Sequence, residues 1–295
     1  MPIEIAAGNA AEKDSAMRAI SPNQFDQRHH LDSMLMRESL LDRSVQRSTE
    51  TDSEIVRMLP DAQVVKVGGR SVVDQGKAVV RPIVKALVAA LPDHRLIIGT
   101  GGGARTRHLY SIGIDLGMPV GVLAELAAAD ALGNAHILGT LLSPYGVVAI
   151  PPAMFGHLLP LFIRSVPGVI FTGVPPYSLW EHPSTVGRIP AHGSDAGCFL
   201  LGECFGVKAV TLIKDVDGLY DADPRRDPAA KLIPEITTSE LRDRRLPSLP
   251  FEPILLTLLD NARLLRSFQI VNGRRPETIA AALAGEHVGT IIRAG

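Results

Sequence analysis

Short β-branched runs alternate along the chain with longer stretches whose apolar residues recur at helical spacing. From about residue 60 onward, "QVVKV" (63–67), "RLIIG" (95–99), "GVVAI" (146–150), "GVIFT" (168–172), "KAVTLI" (208–213) and "FQIVN" (268–272) read as buried strands. Between them "GKAVVRPIVKALVAAL", "ARTRHLYSIGIDLG", "VLAELAAADALGNAHILGTLL" and "SDAGCFLLGECFG" read as helices, several closed by glycine. Strands alternating with crossover helices predict an α/β fold: a three-layer αβα sandwich with a mainly parallel central sheet. Residues 1–55 have scattered charge and few β-branched residues, so they are expected to form an N-terminal arm outside the core, partly helical or disordered. Residues 56–295 are expected to form the domain itself. Within the arm, "LDSMLMRESLLDRSV" spaces Leu31, Met34, Leu40 and Leu41 for one docking helix.

Composition narrows the function classes. Thirty basic residues against 31 acidic ones leave a formal net charge of −1, which gives no field favouring nucleic acid or an anionic membrane. No apolar run approaches the ~20 residues of a membrane span, and the first residues lack a signal-peptide pattern, so a cytoplasmic protein is expected. The two cysteines, Cys198 and Cys204, are six residues apart and face different sides of a helix, which disfavours a disulfide or a shared metal.

The chemistry concentrates at strand ends. "VVKVGGRS" (64–71) and "LIIGTGGGARTRH" (96–108) each run from a strand into glycines, where bare backbone N–H groups followed by a helix start make a phosphate cradle. "GTGGGA" formally fits a dinucleotide fingerprint, but it follows a second strand and has no acid at the end of the next one. "QGKA" has Ala78 where a P-loop needs Ser or Thr. Lys66, two residues before the first glycine pair, is placed to neutralise a transferring phosphate. The acidic stretch "KDVDGLYDADPRRDP" (214–228) invites a calcium reading. Counted from Asp215, however, Gly218 falls at position four rather than six, and Arg226 stands where the closing glutamate belongs.

Together "VVKVGG", "IIGTGGGARTRH", "SDAGCFLLGECFGVKAVTLIKDVDGLYDADPRRDP" and "VNGRRPETIAAALAGEHVGTII" resemble the amino-acid kinase superfamily, in particular its uridylate kinase branch. Within it, "VPPYSLW", "GRIPAHGSDAGCFLLGECFG" and the arm are similar to the molybdenum storage proteins, the arm looking like their beta-type subunit. The resemblance implies ATP and Mg²⁺ as cofactors, molybdate or tungstate stored as oxo-clusters, and a hexameric trimer of dimers with like or related subunits. The alternative is a uridylate kinase transferring phosphate from ATP to UMP. By residue, it implies Lys66, Asp195 and Lys214 in catalysis. Gly68, Gly69, Gly101, Gly102, Asp217, Gly218, Tyr220, Asp223 and Pro224 would bind nucleotide, and Asp215 would meet magnesium. Arg107 and His108 would receive the substrate anion, and Glu125, His136 and His157 are the metal candidates, since oxoanions suit arginine, histidine and backbone amides. Val122 stands where uridylate kinases carry an acid, and "GVPPYSLW" replaces their flexible acceptor loop, which argues against UMP.

Overall fold

The computed structural model describes residues 54–295 except 185, 186, 225 and 247. The arm helix expected within residues 31–45 lies outside the described residues.

All six expected strands form: β1 (Ala62–Val67), β2 (Arg95–Thr100), β3 (Val147–Ala149), β4 (Gly168–Thr172), β5 (Ala209–Lys214) and β9 (Ser267–Asn272). With β8 (Glu235–Thr237) and β10 (Thr290–Arg293) they make an eight-stranded sheet in the order β3-β4-β2-β1-β5-β9-β10-β8. The short strands β6 (Leu219–Tyr220) and β7 (Leu232–Ile233) form a separate antiparallel ribbon. Every pairing in the large sheet is parallel except β9 with β10. The chain steps from β1 to β2 on one side, returns past it, and resumes with β5 on the other. β1 therefore lies at the switch point, and the loops after β1, β2 and β5 converge at one end of the sheet.

Eight helices are described: α1 (Lys77–Ala90), α2 (Ala104–Asp115), α3 (Val120–Leu142), α4 (Phe155–Ser165), α5 (Ser194–Phe205), α6 (Thr238–Arg244), α7 (Ile254–Asn261) and α8 (Pro276–Leu283). Their ends follow local chemistry. α5 stops at Gly206 in the left-handed region, and α6 starts with a capping box between Thr237 and Glu240.

The pleat sends alternate residues to two cores. Val64, Ile97, Val169, Phe171, Val210 and Leu212 pack with α4, α5 and α7, whereas Val65, Ile98, Ile170, Ile213 and Val271 pack with α1, α3 and α8. Strands covered on both faces read as continuous apolar runs, which is why they stand out in the sequence. Lys66 pairs in register with Leu212, so Lys66 and Lys214 point from adjacent strands to the same face of the sheet, the face covered by α5.

Candidate functional site

Both lysines meet Asp195 in the first turn of α5. Lys66 Nζ lies 2.7 Å from Asp195 Oδ1, while Lys214 Nζ donates to Oδ1 at 2.8 Å and to Oδ2 at 2.6 Å. All three side chains are buried. Burial opposes the charge of Asp195, but the two ammonium groups override it and hold the carboxyl well below the usual carboxylate range. For Lys66, burial likewise works against the charge and Asp195 prevails, so its value is raised. For Lys214 burial wins against Asp195, with the positive charge of Lys66 adding to the push, and its value falls to about 8. The arrangement is a carboxylate clamp that presents two closely spaced cations, a device suited to a polyanion.

The glycine loops flank this clamp. Gly101 N–H donates to Val67 O at 3.1 Å, tying the loop after β2 to the end of β1. A Cβ on Gly69 would lie 1.6 Å from the Gly102 carbonyl oxygen, so the two loops touch backbone to backbone in a way that glycine alone permits. Behind them α3 supplies fixed partners. Asp130 accepts from Gly103 N–H at 3.1 Å, from Arg105 Nε at 2.7 Å and from the Thr106 hydroxyl, and Asn134 Nδ2 donates to Gly101 O at 2.7 Å. Asp74 accepts from Ala104 N–H at 2.6 Å, at the start of α2.

Together these elements wall a cleft of about 590 Å³. It brings together Lys66, Gly68, Gly69, Gly102, Arg107, Asp195, Lys214, Asp215, Gly218, Tyr220, Asp223 and Pro224 of the sequence-derived residues, a size and polarity suited to a nucleotide. The cradle passes a geometric test for phosphate, since its glycines are packed too closely for side chains and two lysines line the cleft beside them. Asp215 gives a carboxylate oxygen that could join phosphate oxygens around magnesium.

Other candidates fall elsewhere. Asp217 is absent from the cleft wall and pins its floor: it accepts from Tyr220 Oη at 3.1 Å and Asn272 Nδ2 at 2.8 Å, and Arg275 Nη1 lies 3.4 Å away. Gly101 sits just behind the wall. His108 lies on the exposed side of α2, Glu125 and His136 on the exposed face of α3, and His157 on the exposed side of α4. Glu125 accepts from the Ser178 hydroxyl. Among the described residues no three His, Cys, Asp or Glu side chains cluster as a metal site, and no helix is long and apolar enough to cross a membrane. Cys198 is buried and Cys204 exposed, each a free thiol.

Two features escaped sequence reasoning. Leu246 and residues 248–253 line the cleft, and Glu252 among them reaches the lysine clamp. The prolines of "LPSLPFEP" suggest a loop in the sequence, but nothing local says which cavity it borders.

Comparison with known proteins now bears on the cleft. The amino acid kinase family model matches residues 61–264. The chain belongs to the amino acid kinase family. It is 46% identical over 264 residues to molybdenum storage protein subunit beta of Azotobacter vinelandii, covering 90% of this chain and 97% of that one. It is 24% identical over 236 residues to the uridylate kinase of Hyperthermus butylicus, covering 78% and 96%. These relatives place it in the uridylate kinase branch of the amino acid kinase family. The crystal structure of uridylate kinase from Archaeoglobus fulgidus superimposes with a TM-score of 0.62 at 22% identity, over 78% of this chain and 99% of that one, which shows the shared fold.

Proposed function

We propose that the protein is an ATP-binding molybdenum or tungsten storage subunit. In this reading ATP hydrolysis in the cleft drives loading of molybdate or tungstate, held as oxo-clusters inside an oligomeric cage. The observation that carries the reading is near full-length similarity to a molybdenum storage subunit in a chain whose cleft has the parts of a phosphate site.

Each group has a role in that chemistry. The backbone of Gly68, Gly69 and Gly102 cradles phosphates while Gly101 ties the loop after β2 to β1 and α3 from behind, and Lys66 and Lys214 balance the charge that develops on the terminal phosphoryl group. Asp195 orients both lysines. Tyr220, Asp223 and Pro224 wall the nucleoside end, with Asp217 bracing the loop. Asp215, in the cleft wall, would hold magnesium, which would offset the negative charge of the phosphates. Arg107, in the cleft wall, receives the second anion, with His108 next to it on α2. Glu125, His136 and His157, on outward faces, contact stored oxoanions once subunits enclose them in a cytoplasmic hexamer, a trimer of dimers with a like or related subunit.

One observation favours a second reading, phosphoryl transfer to UMP: Arg107 lines the cleft in a chain with uridylate kinase relatives. Incubating the purified protein with Mg-ATP and either molybdate or UMP separates the two. Retained metal with negligible UDP supports storage, and rapid UDP formation without bound metal overturns it.

A further inference from the structure

Glu252 enters the cleft from the loop between α6 and α7 and faces the first turn of α5. Its Oε1 accepts from Asp195 N–H at 3.1 Å and its Oε2 from Ala196 N–H at 2.9 Å, while its own N–H donates to Asp195 Oδ2 at 3.2 Å. Gly193 leaves the room for this approach, because a Cβ there would lie 2.3 Å from Glu252 Oε1. The head of a helix is where an α/β protein commonly receives a ligand anion. Here a protein carboxylate already fills that place, so a ligand's charge is directed to the lysines and the glycine loops. Asp195, in turn, is held by three fixed groups: both ammonium groups and the Glu252 backbone.

We propose that Glu252 is the positioning residue of the lysine pair. By occupying the head of α5 and bracing Asp195 it fixes where the two ammonium groups point, and by its own charge it favours the ammonium form of Lys66 that an anionic ligand needs. The charged and titratable groups facing it are Asp195, Lys66, Lys214, Tyr110 and Cys198. Burial, followed by the charge of Asp195, pushes the Glu252 carboxyl up to about 7, and its charge in turn supports both ammonium groups. With all four groups ionised, two positive charges balance two negative ones. Protonating Glu252 leaves the centre with one net positive charge, so anion binding draws a proton onto it. Naming the ligand a phosphate or oxoanion rests on the function proposed above; the positioning of the lysines does not.

The test is the titration of Lys66 in the unliganded protein, followed by NMR of isotope-labelled lysine side chains, in native protein and in Glu252→Gln. The glutamine keeps the shape and removes the charge. The midpoint of Lys66 is expected to fall by about one pH unit or more, the size of a nearby interior carboxylate's effect. A folded Glu252→Gln protein with an unmoved Lys66 midpoint overturns the proposal, since a merely structural cap would leave that midpoint alone. Should the variant not fold, the native protein still decides: the Glu252 carboxyl and Lys66 signals must each respond to the other's titration, and two independent midpoints overturn the proposal. A native protein that shows the coupling yet binds no Mg-ATP would remove the nucleotide reading and leave the role of Glu252 standing.

Discussion

Replacing Asp195 with asparagine preserves its shape and removes the one charge that two buried lysines share. Nζ of Lys66 lies 2.7 Å from one carboxylate oxygen, and Nζ of Lys214 2.6 Å from the other. Removing one member of a buried ion group costs about 3–5 kcal/mol, because the partners stay desolvated without compensation. The loss is bounded by proton release. Lys214 already titrates at about 8, so driving it neutral at pH 7 adds only about 1–2 kcal/mol, at roughly 1.4 kcal/mol per pH unit. The remainder falls on Lys66, whose raised value rests on the same carboxylate. For a unit of this size about 3–5 kcal/mol lowers the melting temperature by about 6–20 °C, read by scanning calorimetry at pH 7. Adding Lys214→Met should recover part of the loss, so that the double variant is less destabilised than the sum of the single ones. An Asp195→Asn protein melting within about 3 °C of native, with phosphate binding intact, would refute the clamp, since that is below the expected loss.

Four further outcomes follow from the same geometry. Gly69→Ala should abolish Mg-ATP binding in calorimetry, because its Cβ would meet the Gly102 carbonyl at 1.6 Å and force the two loops apart. Anion affinity should fall as pH rises through about 8, where Lys214 loses its proton, and strengthen as pH falls through about 7, where Glu252 gains one; phosphate titrations at fixed charge state of the ligand read this directly. The raised Glu252 value also means that the folded state holds more protons than the unfolded one between about 4.5 and 7. Its burden is therefore full above pH 7 and relieved below it, and Glu252→Gln should gain on native protein between pH 5 and pH 8 by at most about 3 kcal/mol in urea unfolding. Asp130→Ala removes the partner of Gly103, Arg105 and Thr106, and should weaken Mg-ATP binding about tenfold or more while costing about 1–3 kcal/mol of stability.

Much of this was legible in the sequence, for identifiable reasons. Strands buried on both faces leave unbroken apolar runs, so β1, β2, β4, β5 and β9 could be placed by inspection. The strands β6, β7, β8 and β10 have two to four residues each, too short for a period to register. Lys66 stood out because a lysine inside an apolar strand end is unusual, and the cleft brings it to Asp195 and Lys214. What could not be read was long-range. Glu252 is 57 residues from Asp195 in sequence, and the bracing of the glycine loop by Asp130 and Asn134 spans 27 and 33 residues. No local pattern encodes such pairs. Asp217 illustrates the converse: it belongs to a motif that suggests ligand contact, yet its carboxylate is engaged by Tyr220, Asn272 and Arg275.

The central claim is that ATP chemistry in this cleft loads an oxoanion. Its most direct measurement is the molybdenum or tungsten content of the assembled protein after incubation with molybdate or tungstate and Mg-ATP, followed by desalting, beside samples lacking ATP and samples carrying Lys66→Ala. Many metal atoms should be retained per assembly only when ATP is present and Lys66 intact. Metal retained equally without ATP, or no metal retained alongside rapid phosphoryl transfer to UMP, would contradict it.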